Sequence, residues 1–263
     1  MTTTVSKSQK VRVEESPRYA IVLENFTKEY KDVRAVDDLT LHVAEGKIFG
    51  MLGPNGSGKT TTINCLSGLV QPTSGNLQVG GHNVQSEPGK VREVLGICPQ
   101  ETALYPFLSG RENIELFGNL YCVPKENLKE NVDYVIEKVG LRGDARRRAG
   151  KYSGGMKRRV SVAMALVQDP KVVFLDEPTV GMDPQSRRAI WDFVRELKDK
   201  GKTILLTTHY MEEAEQLCDE VAIIDHGKLI ELGSPDDLKT KNSAKDLEDV
   251  FIQLTGRRIR EGA

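Results

Sequence analysis

The stretch that decides the fold reads Gly53-Pro54-Asn55-Gly56-Ser57-Gly58-Lys59-Thr60. It matches the pattern G-x-x-x-x-G-K-[ST] at every fixed position. Glycines allow backbone conformations that turn successive N–H groups inward around an anion. The apolar residues 48–52 precede the stretch as a buried strand, and residues 61–67 follow it as a helix whose N-terminal dipole favours anions. The sequence therefore predicts a strand, a phosphate-binding loop and a helix, in that order.

Within this stretch, Lys59 would place a positive charge on the outer phosphates of a nucleotide, and Thr60 would offer a hydroxyl to Mg²⁺. We expect the loop and the start of the helix, through Thr61, to hold the phosphates. The alternative is a glycine-rich turn with an incidental lysine, which the flanking strand and helix disfavour. The loop predicts nucleotide binding, but kinases, GTPases and motor ATPases share it, so the rest of the chain must decide the function.

Composition narrows the possible functions. The 263 residues carry 37 Lys and Arg against 38 Asp and Glu, a net charge of −1. A dedicated nucleic-acid binder usually has a basic excess, so no nucleic-acid partner is expected. Residues 1–18 are unlike a signal peptide, and no apolar run approaches the roughly 18 residues of a membrane span. No C-x-x-C pair or zinc spacing occurs, so we expect reduced, mainly buried thiols at Cys65, Cys98, Cys122 and Cys218.

The hydrophobic pattern predicts an α/β fold with two additions. Strands that alternate with helices imply a mostly parallel central sheet, and alternating residues near the N-terminus imply an antiparallel β layer beside it. Helical periodicity predicts an inserted helical subdomain, with a capping box at Ser109. The expected units are a flexible N-terminal lead at 1–18, the main domain at 19–232 with its helical subdomain at about 105–168, and a C-terminal helical tail at 233–263.

Conspicuous polar residues end the predicted strands of the central sheet. One strand runs into the phosphate loop, and others end at Gln100, at Asp176-Glu177 and at His209. Ligands of an open α/β sheet sit outside the carboxyl ends of its strands, so these side chains should share one edge with the phosphates. Asp176 would hold Mg²⁺ through its water shell. Glu177, alternating to the other face of its strand, would orient and deprotonate the attacking water.

The remaining candidates each have a plainer interpretation. Gln100 would reach the metal or the water, but a glutamine after a strand is usually a surface residue. His209 would donate to the terminal phosphate, but a single histidine is often structural. Tyr30, upstream of the loop, could stack on adenine, or could be an ordinary core tyrosine. Ser153, followed by Gly154 and Gly155, could leave helix N–H groups free for an anion, or could simply be an N-cap.

The order of these motifs resembles that of the ATP-binding-cassette (ABC) ATPases, and the resemblance covers about residues 20–256. It identifies the phosphate loop as Walker A, residues 172–177 as Walker B, and Gln100 as the Q-loop glutamine. It also identifies Asp183 as the D-loop aspartate, His209 as the switch histidine and Tyr30 as the adenine-stacking aromatic. The family thus implies ATP and Mg²⁺ as ligands, with Thr60, Gln100 and Asp176 at the metal.

The family signature usually reads Leu-Ser-Gly-Gly-Gln, whereas this chain has Tyr152-Ser153-Gly154-Gly155-Met156. The serine and glycines that contact phosphate are intact, but a contact made by the usual glutamine cannot be transferred to Met156. This variant, followed by three basic residues, is similar to the branch that serves drug, lipid and polysaccharide exporters. The surrounding basic residues are expected to form a solvated face, or alternatively to attract a nucleotide or permease acids: Arg146, Arg147, Arg148, Lys151, Lys157, Arg158 and Arg159.

The resemblance implies a mechanism that needs two chains. Two copies, or this chain and a similar cassette, would close head to tail around ATP, with Walker A from one chain and Ser153 and Gly155 from the other. A separate multi-span permease would bind the helical subdomain and place the ATPase in the cytoplasm, on the inner face of the cell membrane.

The main alternative is a soluble cassette ATPase that acts in DNA repair or translation. The chain has no sustained heptads between Thr60 and Ser153 and only one phosphate loop, and both features disfavour that alternative. A nucleotide kinase would leave Ser153 and His209 without a role.

Overall fold

The computed structural model describes residues 18–256. The flexible lead predicted at 1–18 lies outside these residues except for Arg18, and so does the end of the predicted tail, residues 257–263. The strands are β1 Tyr19–Tyr30, β2 Val33–Ala44, β3 Ile48–Leu52, β4 Ser74–Val79, β5 His82–Asn83, β6 Leu95–Cys98, β7 Val172–Asp176, β8 Thr203–Thr208, β9 Glu220–Asp225 and β10 Lys228–Gly233. The helices are α1 Lys59–Leu66, α2 Pro88–Val94, α3 Gly110–Leu120, α4 Lys125–Lys138, α5 Gly154–Leu166, α6 Pro184–Asp199, α7 Met211–Leu217, α8 Pro235–Lys241 and α9 Leu247–Thr255.

The central sheet has six strands in the order β10-β9-β3-β8-β7-β6. All neighbouring pairs from β9 to β6 are parallel, and only β10 pairs antiparallel with β9. Every residue of β3, β7 and β8 is buried. Burial on both faces explains the apolar runs of β3 and β7, and β8 also buries the threonines Thr203, Thr207 and Thr208. The predicted, mostly parallel sheet is confirmed. Because β3, β8, β7 and β6 are adjacent and parallel, their carboxyl ends lie side by side at one edge.

A second sheet forms the predicted antiparallel layer. Its four strands have the order β2-β1-β4-β5, and alternate residues of β2 point into the core, as the pattern of buried Leu39, Leu41 and Val43 shows. These side chains share a hydrophobic core with Phe49 of β3 and Ile63 of α1. The layer therefore packs on the phosphate loop's own strand and helix.

Helices α3, α4 and α5 pack on a second core at the other side of the central sheet. The predicted capping box begins α3: the Ser109 hydroxyl accepts from the Glu112 N–H at 3.2 Å, and the Glu112 carboxylate accepts from the Ser109 N–H at 2.7 Å. Helix α6 begins after its N-cap Asp183 and buries Ile190, Val194 and Leu197. The C-terminal segment contains α8 and α9, and Phe251 of α9 is fully buried in the same core.

Candidate active site

The phosphate loop joins β3 to α1 in a conformation that two glycines make possible. Gly58 is the N-cap of α1 and has φ of +106°, in the left-handed region that other residues avoid. A Cβ at Gly53 would lie 2.2 Å from the carbonyl oxygen of Ile224. The hydroxyl of Ser57, buried in the same loop, has no hydrogen-bond partner among the described residues. The loop is therefore folded tightly against the end of β9.

Helix α1 has an N-terminus without a side-chain cap. Its first turn contains no acidic residue, and Gly58 offers no side chain to its free N–H groups. Five other helices of the described chain begin with an N-cap side chain that accepts from a first-turn N–H: Ser109, Ser153, Asp183, Ser234 and Asp246. An uncapped helix start with free N–H groups suits an anion. A phosphate fits this position because it would supply the missing cap.

Lys59 lies in the centre of the loop and is 5% exposed. Its Nζ donates to the carbonyl oxygens of Gly53 at 2.7 Å and Pro54 at 2.9 Å. Burial lowers the pKa of Lys59, while the nearby charges of Glu177 and Asp176 oppose that effect. The loop thus holds one desolvated ammonium group beside two carboxylates, where a phosphate could exchange with the two carbonyls.

Glu177 is the centre of the polar cluster at the ends of β6, β7 and β8. Its Oε2 accepts from the Nε2 of Gln100 at 3.2 Å, and its Oε1 lies 2.9 Å from the Nδ1 of His209. The His209 hydrogen bond is the main cause that lowers the pKa of Glu177, while the burial of the carboxyl group acts in the opposite direction. The structure thus brings the three predicted catalytic residues together, with the carboxylate favoured in the ionised form that a base requires.

The backbone of Glu177 differs from the sequence-based prediction. Strand β7 ends at Asp176, and Glu177 has φ of +50°, in the left-handed region. Its side chain therefore points to the site because the chain turns there, and not because of strand alternation. The Glu177 N–H donates to both the carbonyl and the hydroxyl oxygen of Thr207 on β8, at 3.0 and 3.1 Å. A non-glycine residue in this region is unfavourable and needs such support.

The three predicted metal ligands, Thr60, Gln100 and Asp176, all carry side-chain oxygen atoms. Asp176 is buried and accepts a hydrogen bond from the hydroxyl of Thr207, whereas Thr60 is exposed on the first turn of α1. No group of three or more His, Cys, Asp or Glu side chains within residues 18–256 could hold a metal ion. One carboxylate, one hydroxyl and one amide oxygen suit Mg²⁺, which commonly completes its shell with substrate phosphates and water.

An open cleft of about 690 Å³ lies in front of the loop. Tyr30, Lys59, Thr60, Gln100 and Glu177 line it, together with Asn55, Gly56, Gly58 and Thr61. Tyr30 is 43% exposed, so the alternative of a core tyrosine is wrong.

Two basic residues of the cleft were missed by the sequence reasoning. Arg34 of β2 and His226 of the β9–β10 turn line it as well. No motif marks either residue, and only the packing of the antiparallel layer and β10 reveals them.

The predicted second half of the site lies outside this cleft. Ser153 caps α5 by accepting from the Met156 N–H at 3.3 Å, and Gly154 is exposed beside it. A Cβ at Gly155 would lie 3.6 Å from the carbonyl of Gly181 in the D-loop. Asp183 accepts from the Ser186 N–H at 2.9 Å, and this hydrogen bonding lowers the pKa of Asp183. None of these residues lines the cleft that holds Lys59.

Replacing Gly58 with alanine should weaken ATP binding roughly tenfold, since a left-handed non-glycine residue costs about 1–2 kcal/mol. In addition, the new Cβ would lie 2.6 Å from the carbonyl of Ala35 and would displace the start of α1. Gly81→Ala is the matched control, because Gly81 has φ of +80° but open space around its Cβ position. Titration with a fluorescent ATP analogue measures both; equal affinities in the two variants would contradict the argument.

In the described part of the chain, every helix is too short or too polar to cross a membrane. The family model described as ABC transporter matches residues 36–180. The daunorubicin resistance ATP-binding protein DrrA3 of Streptomyces coeruleorubidus is 42% identical over 238 residues, which cover 90% of this chain and 75% of that protein.

Two similar solved structures share the fold at low sequence identity. The structure of cbiO1 from Clostridium perfringens, described as part of the ABC transporter complex cbiONQ, is 27% identical with a TM-score of 0.75, covering 85% of this chain and 91% of that chain. The dimeric, post-hydrolysis ATP-binding cassette MJ0796 with ADP and Pi is 26% identical with a TM-score of 0.76, covering 81% and 98%. This chain therefore belongs to the ABC transporter family, as an ATP-binding subunit that hydrolyses ATP.

Proposed function

We propose that two copies of this chain, or this chain and a similar cassette, close around two Mg-ATP and drive a separate exporter permease. The observation that carries the proposal is the division of the predicted site. Glu177, Gln100 and the phosphate loop line one cleft, whereas Ser153 to Gly155 lie outside it. A second chain would bring its own signature to this cleft. The dimeric cassette with ADP and Pi supports this arrangement.

Nucleotide binding would use the loop and the aromatic side chain at the mouth of the cleft. The adenine would stack on the exposed ring of Tyr30. The Nζ of Lys28 lies 4.6 Å from the centroid of this ring. The phosphates would accept from the free N–H groups at the start of α1. Lys59 would exchange its two carbonyl partners for phosphate oxygens, which compensate its buried charge better than neutral carbonyls do.

Hydrolysis would use Glu177 as the base that removes a proton from the attacking water. His209 and Gln100 hold the two oxygens of this carboxylate, so they fix its direction and favour its ionised form. Mg²⁺ held by Thr60, Asp176 and Gln100 would neutralise charge that develops on the phosphates. Ser153 and Gly155 of the second chain would complete the site at the terminal phosphate.

The proposal that the transporter is an exporter rests on the relative described as a daunorubicin resistance ATP-binding protein. The permease would sit on the exposed apolar side chains that follow Gln100, because Tyr105 is 53% and Phe107 is 83% exposed. Contact there would place the chain in the cytoplasm at the inner face of the membrane. The structure described as part of a transporter complex supports a membrane partner. The drug-resistance relative favours transport over a role in DNA repair or translation.

Co-purification tests this function. A tagged full-length chain, isolated from detergent-solubilised membranes of its own host, should retain a multi-span protein in comparable amount. Phe107→Asp should lose that protein, because it places a charge in an apolar contact, while ATP turnover of the isolated chain persists. Recovery of the chain without any multi-span protein would contradict the transport proposal.

A further inference from the structure

Arg158 of α5 is a buried cation that the expected solvated basic face does not explain. It is 4% exposed, unlike most of its basic neighbours. Its guanidinium forms no ion pair with a carboxylate among the described residues, and its hydrogen bonds go to main-chain carbonyls instead. A buried guanidinium needs hydrogen-bond partners to offset its lost hydration. Its partners therefore indicate what the residue does.

Its hydrogen-bond partners among the described residues are main-chain carbonyls on two of the three segments that carry Gln100, Glu177 and His209. Nε donates to Pro178 at 3.2 Å, and Nη2 donates to Asp176. Nη1 donates to Gln100 at 3.0 Å and to Pro99. Asp176 and Pro178 are the residues immediately before and after Glu177, so the Arg158 guanidinium holds the main chain on both sides of Glu177. It also holds the main chain at Gln100, whose side chain donates to Glu177.

The conformation of Glu177 requires this kind of support. Its φ of +50° is unfavourable for a residue with a side chain. The hydrogen bonds from Glu177 N–H to Thr207 fix only one peptide of the turn. Carbonyls on both sides must also be held for the turn to keep its direction, and Arg158 is the side chain that holds them.

We infer that Arg158 is a positioning residue, which holds Glu177 in its left-handed turn and within reach of Gln100 and His209. This inference rests on the proposed role of Glu177 as the base. The planar fork of arginine suits the task, because it presents several N–H groups in fixed directions, whereas lysine is a single point donor. Ser153 caps the helix that contains Arg158. Helix α5 therefore connects Ser153, which would contact the nucleotide of a second chain, to Glu177.

The first test compares Arg158→Met and Arg158→Lys in the full-length chain. Displacement of the base should lower kcat about 100-fold in Arg158→Met and about tenfold in Arg158→Lys, as small misplacements of reacting groups do. The dissociation constant for ATP, measured without Mg²⁺, should stay within about twofold, because the hydrogen bonds of Arg158 reach neither the phosphate loop nor Tyr30. Arg159→Met is the matched control: Arg159 donates to the carbonyls of Val139 and Gly140, away from Glu177, so its kcat should be retained.

The second test is a double-mutant cycle with Glu177→Gln, measured as single-turnover hydrolysis of radiolabelled ATP. If Arg158 acts through Glu177, then Arg158→Lys should not lower the residual rate of Glu177→Gln further. Additive losses, an unchanged kcat in the single variants, or a parallel loss of ATP affinity would overturn the inference. If Glu177→Gln itself kept full turnover, the assignment of the base would fail instead, so the two failures are distinguishable.

Discussion

Glu177→Gln is expected to lower ATP turnover by about 10²–10⁴-fold, the contribution of a positioned general base. Glutamine keeps the shape of Glu177, and its amide oxygen can still accept from Gln100, but an NH₂ donor then replaces the oxygen that faces His209. It cannot accept a proton from water at neutral pH. Binding of ATP should persist, because the phosphate loop is unchanged, and the chain should accumulate as a dimer with ATP trapped between the copies.

Steady-state phosphate release and equilibrium ATP titration check this expectation together. Glu126→Gln, at an exposed position in the first turn of α4, is the matched control for the loss of one carboxylate. It should turn over ATP at the rate of the unaltered chain. Turnover by Glu177→Gln at that rate would show that another group removes the proton.

Ser153→Arg is expected to remove hydrolysis to a similar extent while a single chain still binds ATP. Ser153 is exposed at the start of α5 and lies outside its own cleft. A bulky cation there would block the approach of a second chain's nucleotide and would remove the phosphate contact of the hydroxyl. The affinity of the monomer should not change, because Lys59 and Tyr30 belong to the other half of the site.

The same substitution also removes an N-cap, which costs about 0.5–2 kcal/mol of stability. Ser234→Arg controls for this loss, since Ser234 caps α8 by accepting from the Asp237 N–H at 3.1 Å. It should retain hydrolysis measured per folded molecule. If both variants lost hydrolysis equally, or if Ser153→Arg hydrolysed ATP normally, residues 152–156 would take no part in the hydrolytic site.

Much of the fold was readable from local sequence because buried parallel strands are continuous apolar runs that end in turn or polar residues. The strand before Gly53 and the strand before Asp176 are found where the pattern predicts them. Gln100, Glu177 and His209 meet because they follow β6, β7 and β8, which are neighbours in the parallel sheet. The contributions of α2 and β10 were not anticipated, since short segments with mixed polarity carry little periodicity.

The sequence could not reveal the support of the base. A cluster of basic residues after Ser153 predicts a solvated face, and nothing in the spacing indicates that Arg158 alone turns inward to carbonyls of β7 and the Q-loop. Strand alternation predicts that the Glu177 side chain faces the site, which is correct, but the cause is different. The side chain faces the site because the backbone turns at Glu177 into the left-handed region, and this turn depends on tertiary hydrogen bonds. Long-range contacts of this kind have no local signature.

Sedimentation of Glu177→Gln with and without Mg-ATP tests the central claim most directly, namely that one chain holds only half of the hydrolytic site. The account predicts a monomer without nucleotide, a dimer with two bound ATP, and a monomer again when Ser153→Arg is added. A chain that stays monomeric at saturating Mg-ATP, or a dimer that persists with Ser153→Arg, would contradict it.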